Sequence, residues 1–580
     1  MPLRKSLAKA LPSLALSFVV AEAAAQVPSP PANGSPVARA LRDWAADYRQ
    51  DRLASKAVVR SGRDLQPRYL DAMRQAGLVY ESEEGRVTHQ DMLGKLLYFA
   101  EKYPNEELAE AVLDVAAIGF DHALVDLDTL EIRELGLLTL LRMEDQGAWF
   151  VVMRTAAGER APDAFVAAAP GPGQAVVPLG PGASRRVAAL QALAKKNLPV
   201  ARGVLLAALR DDEPRVRLAA AESLLPPWSL ETVGTLVEVL ADETHPVAAQ
   251  AQVRLLLDVL RSPPADLTDD ARDALLARVL ERLGQCGWRT DMELLDLVEA
   301  SPSKVAIEPL IAHLERVVLR PDALVDAVNK RASPMLRQRL GSLLQRLTGA
   351  LVPAEEPQKW RAFWAAEGDT IVVPKTLQKP AEGGTAATFY GVPVTGSSIA
   401  FLIDSSGSMD GASVAPTTGR SSRPVTRLQA AKEQLVLAVQ AMPKESQYQV
   451  LTFSETARRW TQKPVQADGR SVRSLTELLG RIAADGGTNL HDGLQAALQW
   501  QEQRYGETSK SGLDELFVLS DGQPTSGAVR DPATLLGMVR EANRYARIKI
   551  HCVHTGEPGG DGADLLRQLA EQNGGVFVQR

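Results

Sequence analysis

Ile399-Ala400-Phe401-Leu402-Ile403-Asp404-Ser405-Ser406-Gly407-Ser408 is the stretch on which the reading of this chain turns. Five consecutive apolar residues fit a short strand buried on both faces. The run then stops on Asp404, and hydroxyls follow at alternate positions, Ser406 and Ser408. One carboxylate and two hydroxyls on a tight loop are hard oxygen donors, the set that Mg²⁺ prefers in an octahedron. Gly407 lets the loop fold back so that both serines face one point. Two later segments supply further oxygen. Gly486-Gly487-Thr488-Asn489 offers Thr488, and the apolar run Leu516-Phe517-Val518-Leu519-Ser520 delivers Asp521 at its end. An Asp-x-Ser-x-Ser string by itself is ordinary turn chemistry. Thr488 and Asp521 in the same strand-end context make Asp404, Ser406, Ser408, Thr488 and Asp521 a candidate metal site. Mg²⁺ is the expected ion, with Mn²⁺ or Ca²⁺ as alternatives of similar oxygen preference.

Around this stretch, residues 387–580 alternate strand and helix patterns. Strands are expected at 398–403, 448–453, 458–461, 515–519, 548–553 and 576–578. Helices are expected at 427–442, 472–484, 490–505, 532–545 and 564–572. Such alternation predicts an α/β doubly wound, Rossmann-like sheet with helices on both faces. Asp404 and Asp521 then fall at its carboxyl edge, where open α/β sheets bind ligands.

The order Asp404-x-Ser406-x-Ser408, then Thr488, then Asp521 resembles the metal-ion-dependent adhesion site of the von Willebrand factor type A (VWA) domain, over residues 387–580. The resemblance implies that Ser406, Ser408 and Thr488 touch the metal and that Asp404 and Asp521 act partly through bound water. It also implies an antiparallel third strand. One coordination position would stay open for an Asp or Glu carboxylate of a partner protein. The segment 410–426, polar and rich in Gly, Pro, Ser and Thr, is longer than the family's usual passage to the first helix. It brings Arg420, Arg423 and Arg427 near the site, which would favour an acidic partner.

The rest of the chain reads as helical. Residues 1–25 carry a basic start, an apolar stretch too short to span a bilayer, and Ala23-Ala24-Ala25, a small-residue cleavage site. This is a secretory signal cleaved after Ala25, so the mature chain is expected outside the cytoplasm, periplasmic or extracellular, with no transmembrane segment. A retained anchor is the alternative. Residues 26–36 form a Pro/Ser/Gly-rich leader, 37–168 a helical region without recognisable chemistry, and 169–184 a Pro/Gly linker. From 185 to 350 helical patterns recur with short polar turns. Pro214 and Pro246 each follow acidic residues and lie 246 − 214 = 32 positions apart. This is the signature of helix starts in a stacked, two-helix repeat. Asp212-Glu213-Pro214-Arg215-Val216-Arg217 resembles a HEAT repeat, which implies an all-α solenoid platform for a protein partner. Trp360, Phe363 and Trp364 mark 351–370 as a cap on that array, and 371–386 reads as a linker.

Composition narrows the function. A net charge of −6 with dispersed Lys and Arg gives no reason to expect nucleic acid. Two cysteines, Cys286 and Cys552, are too few for a disulfide framework. Ser406 lacks a Gly-x-Ser-x-Gly context, His-Glu-x-x-His is absent, and His551 and His554 fall on opposite faces of a strand. No phosphate-binding Gly-x4-Gly-Lys-Ser/Thr loop occurs. The expectation is an exported, non-enzymatic protein that binds a partner through a metal. An envelope assembly or chaperone-like subunit, or a hydrolase active in 37–168, are the alternatives.

Overall fold

The computed structural model describes residues 35–54, 89–121, 127–158, 182–319, 334–378, 387–413, 425–461 and 463–580. The expected signal at 1–25, most of the leader and of the 169–184 linker, and Arg420 and Arg423 lie outside the described residues. Among the described residues no helix is long and apolar enough to cross a membrane.

Among the described residues of the amino-terminal portion the regular elements are helices, from Pro36–Ala54 to Pro357–Glu367. The prolines act as read: Pro214 and Pro246 each occupy the first turn of a helix, where a missing N–H costs nothing. Helices Ala183–Lys196, Pro214–Ser223, Pro246–Arg261, Trp288–Ala300 and Pro334–Thr348 pack each on the next as one layer. In the other layer Leu230–Asp242 packs on Asp269–Leu280, and Ile307–Leu319 on Pro357–Glu367. The helices on either side of the 169–184 stretch pack together as one unit. Helix Glu106–Asp121 lies against Ala183–Lys196, and Arg185 Nε reaches Asp114 at 3.1 Å. In the 351–370 stretch Trp360 is fully buried, and its indole N–H donates to the Pro353 carbonyl at 3.1 Å.

Strands β1 (Thr388–Phe389) and β2 (Val392–Pro393) make a small hairpin. The main sheet holds β3 (Ser398–Asp404), β4 (Gln447–Phe453), β5 (Ala457–Arg459), β6 (Val465–Gln466), β7 (Glu515–Ser520), β8 (Lys549–His554) and β9 (Phe577–Gln579). Its order is β5-β4-β3-β7-β8-β9, with β6 also on β4. β3, β4, β7, β8 and β9 run parallel, while β5 and β6 run antiparallel to β4, as the resemblance implied for the third strand. Side chains alternate between faces with the strand period of two. Ile399, Phe401 and Ile403 join one core, with the Arg427–Ala441 helix and Phe389; Ala400 and Leu402 join the other. The expected helix over 490–505 is shorter, Leu490–Leu498, because Gln499 turns into the left-handed region at φ 54°.

The helical array and the α/β domain pack directly on one another. The layer that holds the Pro214, Pro246 and Trp288 helices is occupied by the chain's own carboxy-terminal domain. Its apolar core is continuous with one face of the sheet. Arg289, buried, donates through Nε to the Ala546 carbonyl at 2.6 Å and through Nη2 to that of Leu513 at 3.3 Å. Glu222 accepts from the Tyr505 hydroxyl at 2.7 Å and the Tyr545 hydroxyl at 2.5 Å, and pairs with Arg544 at 3.1 Å. Burial, then the Glu222 charge, holds both phenols well above their ordinary range, so both remain donors. Arg547 meets Glu293 at 2.8 Å and Asp296 at 2.9 Å from a left-handed backbone at φ 50°. These contacts meet the residues just before β7 and β8, so the helical layer grips the amino ends of the strands. The carboxyl edge is left at the far end.

Arg289→Ala strands two buried carbonyls and is expected to cost about 2–5 kcal/mol. Scanning calorimetry of the full chain should show the α/β transition moving down and separating from the helical one. One unchanged transition would contradict the docking.

Candidate metal centre

The site starts where β3 stops. Asp404 is fully buried, and its two carboxylate oxygens are both engaged. Oδ1 accepts from the Ser406 backbone N–H at 2.8 Å, an Asx-type turn that bends the chain at once after the strand. Oδ2 accepts from the Ser520 hydroxyl at 2.6 Å across the sheet. Ser405 faces the other way, its hydroxyl donating to the Phe453 carbonyl at 3.1 Å. Ser406 and Ser408 therefore share a side, and their hydroxyl oxygens lie 3.0 Å apart. Ser408 donates in turn to Asp521 Oδ1 at 2.8 Å, across 113 residues of sequence. Asp521 follows the last residue of β7, which lies directly beside β3.

Thr488 enters through its backbone. Its N–H donates to the Thr525 hydroxyl at 2.8 Å, and its carbonyl accepts from the Thr525 N–H at 2.9 Å. The loop before it is tied to the serine loop, with the Gly407 N–H on the Gly486 carbonyl at 3.0 Å and the Asp485 N–H on the Ser405 carbonyl at 2.9 Å. Gly527, at φ 99°, is a tight point of this assembly: a Cβ there would stand 2.1 Å from Asn489 Oδ1. Hydrogen bonds thus join Asp404, Ser406, Ser408 and Asp521, and backbone bonds bring Thr488 to the same edge. Gly407 and Ser408 are exposed, so the cluster opens to solvent.

Three residues complete the site beyond the sequence pattern. Ser520 holds the second oxygen of Asp404; a serine ending an apolar strand carried no signal of its own. Thr525 clamps Thr488 from a loop that reads as plain turn. Arg427, expected only to add positive charge nearby, touches the cluster itself: Nη1 lies 2.6 Å from Asp521 Oδ2. His491, close in sequence, instead pairs with Asp492 at 3.0 Å at the start of its helix.

The donor set fits a hard divalent cation. Among the described residues no group of three or more His, Cys, Asp or Glu could hold a metal. Asp404, Ser406, Ser408 and Asp521 present carboxylate and hydroxyl oxygens instead. An octahedron with metal–oxygen distances of about 2.0–2.1 Å has adjacent oxygens roughly 2.9 Å apart. The Ser406–Ser408 and Ser408–Asp521 separations, 3.0 and 2.8 Å, match that edge. Burial pushes the Asp404 carboxyl up to about 6, against the opposing pull of its hydrogen bonds from Ser406 and Ser520. A carboxylate so placed stands to gain from a counter-charge.

Residues 399–523 match the family described as von Willebrand factor type A domain, and this portion of the chain is a VWA domain. Human inter-alpha-trypsin inhibitor heavy chain H4 is 30% identical over 187 residues, 31% of this chain and 17% of that protein. Human heavy chain H3 is 28% identical over 157 residues, covering 26% and 16%. The chain therefore spans less than a fifth of the length of these relatives. Among solved structures, a von Willebrand factor type A protein from Catenulispora acidiphila is 23% identical with a TM-score of 0.25, over 32% of this chain and 38% of that one. Proximal thread matrix protein 1 of the mussel byssus, described with a zinc-occupied MIDAS motif, is 18% identical with a TM-score of 0.22, covering 31% and 41%.

The weakened acidity of the buried Asp404 carboxyl makes the stability depend on pH. The folded metal-free protein binds this proton more tightly than the unfolded chain, so its stability falls as pH rises from about 4 to about 6. Asp404→Asn removes the buried charge and should stabilise the chelator-treated protein at neutral pH by about 2–3 kcal/mol. Melting in EDTA checks this; a variant less stable than wild type at pH 7 would refute it.

Proposed function

We propose that the VWA domain of this chain is a non-catalytic recognition module that captures an acidic group of a partner protein through a divalent cation. One observation carries the reading: an oxygen-only cluster with octahedral spacing at the solvent-open carboxyl edge, turned away from the helical layer. Ser406, Ser408 and Thr488 would ligate the ion directly, and Asp404 and Asp521 would hold it partly through water. Mg²⁺ is the ion of choice. Ca²⁺ takes more oxygens, at about 2.3–2.6 Å, than this compact set of five side chains offers. With two charged ligands and the rest hydroxyls, a bound dication keeps electrophilic character, and an external Asp or Glu carboxylate completes its shell.

Turnover is disfavoured by the same surroundings. The Ser406 hydroxyl has the Ser408 hydroxyl for a neighbour and also serves the Asp404 carboxylate, so it is engaged by the groups read here as metal ligands. The helical layer acts in this reading as the mount of the VWA domain. The export signal at residues 1–25 would place the module outside the cytoplasm, where it would face its partner.

Calorimetric titration of the full chain with Mg²⁺ or Mn²⁺ should show one site at about millimolar supply or below, lost in Asp404→Ala. Crosslinking mass spectrometry on cells should then show a partner that disappears with chelator and in Ser406→Ala. Absence of any saturable cation binding defeats the metal reading; partner capture indifferent to chelator and to Ser406 defeats the recognition reading.

A further inference from the structure

The guanidinium of Arg427 is built into the metal cluster rather than placed beside it. Nη1 lies 2.6 Å from Asp521 Oδ2 and 3.3 Å from the Ser408 carbonyl oxygen, and the side chain is 18% exposed. The fold makes room for it. A Cβ on Gly411 would stand 3.2 Å from Nη1 and 3.4 Å from Cζ, so the guanidinium packs against the bare face of that glycine. The backbone pins the same two residues together, with the Arg427 N–H on the Gly411 carbonyl at 2.9 Å and the Gly411 N–H on that of Ser408 at 3.0 Å. Thr426 caps the helix that Arg427 begins, and the Ala412–Thr426 bridge closes the base of the 410–426 segment. Arg427 is therefore delivered to Asp521 by the root of the segment that departs from the family pattern. Its Nε is buried without a hydrogen-bond partner, so this pose leaves the guanidinium incompletely satisfied.

We propose that Arg427 is a built-in competitor at the metal site, sharing Asp521 with the divalent cation and thereby setting how tightly that cation binds. The inference rests on the metal reading above. Two carboxylates, Asp404 and Asp521, present a charge of −2 to an entering ion; with Arg427 on Asp521 the sum is −1. Attraction for a dication scales with that charge, and it is strong between groups so close and so little screened. The guanidinium also holds Asp521 Oδ2, the oxygen not already engaged by Ser408. A dication must therefore displace Arg427 or tolerate it. If tolerated, the loaded cluster carries +1, and an anionic partner group is favoured over a neutral one.

The test is Mn²⁺ binding to the full-length chain, read by electron paramagnetic resonance of the free ion, with folding checked by far-ultraviolet circular dichroism. Arg427→Gln should bind Mn²⁺ about tenfold or more tightly than wild type. Arg427→Lys, which keeps the charge but loses the planar fork, should fall between them and serves if the Gln variant does not fold. Equal or weaker binding by Arg427→Gln, or by Arg427→Lys where only that variant folds, overturns the proposal while leaving the metal site standing. No Mn²⁺ binding by wild type or either variant overturns the metal reading and this inference with it.

Discussion

A carboxylate buried at the end of a central strand is the constraint around which the carboxyl edge is organised. Asp404 has no water to solvate it, and burying an ionised carboxylate is costly unless its oxygens find donors. Both do, one within the turn that follows and one from Ser520 on the neighbouring strand. That second bond registers β3 against β7 at the edge. It brings Asp521, the next residue, within reach of Ser408. Even so, the Asp404 carboxyl stays well above its ordinary range, so hydrogen bonds alone do not offset its burial. The edge keeps an uncompensated demand for positive charge. Arg427 meets some of it through Asp521, and a divalent ion would meet the remainder. A site that costs stability while the surrounding fold tolerates it is what a functional position looks like energetically.

The opposite end of the sheet solves a different problem. The amino ends of β7 and β8 meet a layer of helices, and buried polar groups border the shared apolar core. Buried Arg289 caps two backbone carbonyls there, and Glu222 gathers two phenols and a guanidinium. Desolvated charges of this kind add little net stability over an apolar contact, yet removing one member is expensive. They specify one geometry and resist others. The helical layer and the cluster at Asp404 and Asp521 are thereby held at opposite ends of one sheet, and the cluster is left open to solvent.

Much of this was legible in the residues. Apolar runs ending in Asp404 and Asp521 carried both the strands and their sheet edge, because a fully buried parallel strand needs near-continuous hydrophobicity. Proline after acidic residues marked the helix starts at Pro214 and Pro246. Ser520, Thr525 and the contact of Arg427 were not legible. Each acts across a gap of dozens of residues, and no local pattern distinguishes it from a strand end, a turn or a helix start. The docking of the helical layer was also hidden. Glu222 and Arg289 are polar residues of helices, and residue type alone does not separate a buried polar contact from a solvent-facing one.

Local chemistry alone settled which elements form and which oxygen side chains stand at strand ends, since periodicity and turn preference act within a few residues. Only the tertiary structure decided how those side chains meet, with Ser408 on Asp521, Ser520 on Asp404 and Arg427 inside the cluster. It alone decided that the helical layer holds this chain's own domain. Hydrogen bonds and ion pairs are fixed by distance in space, and distance in space is set by packing the whole chain at once.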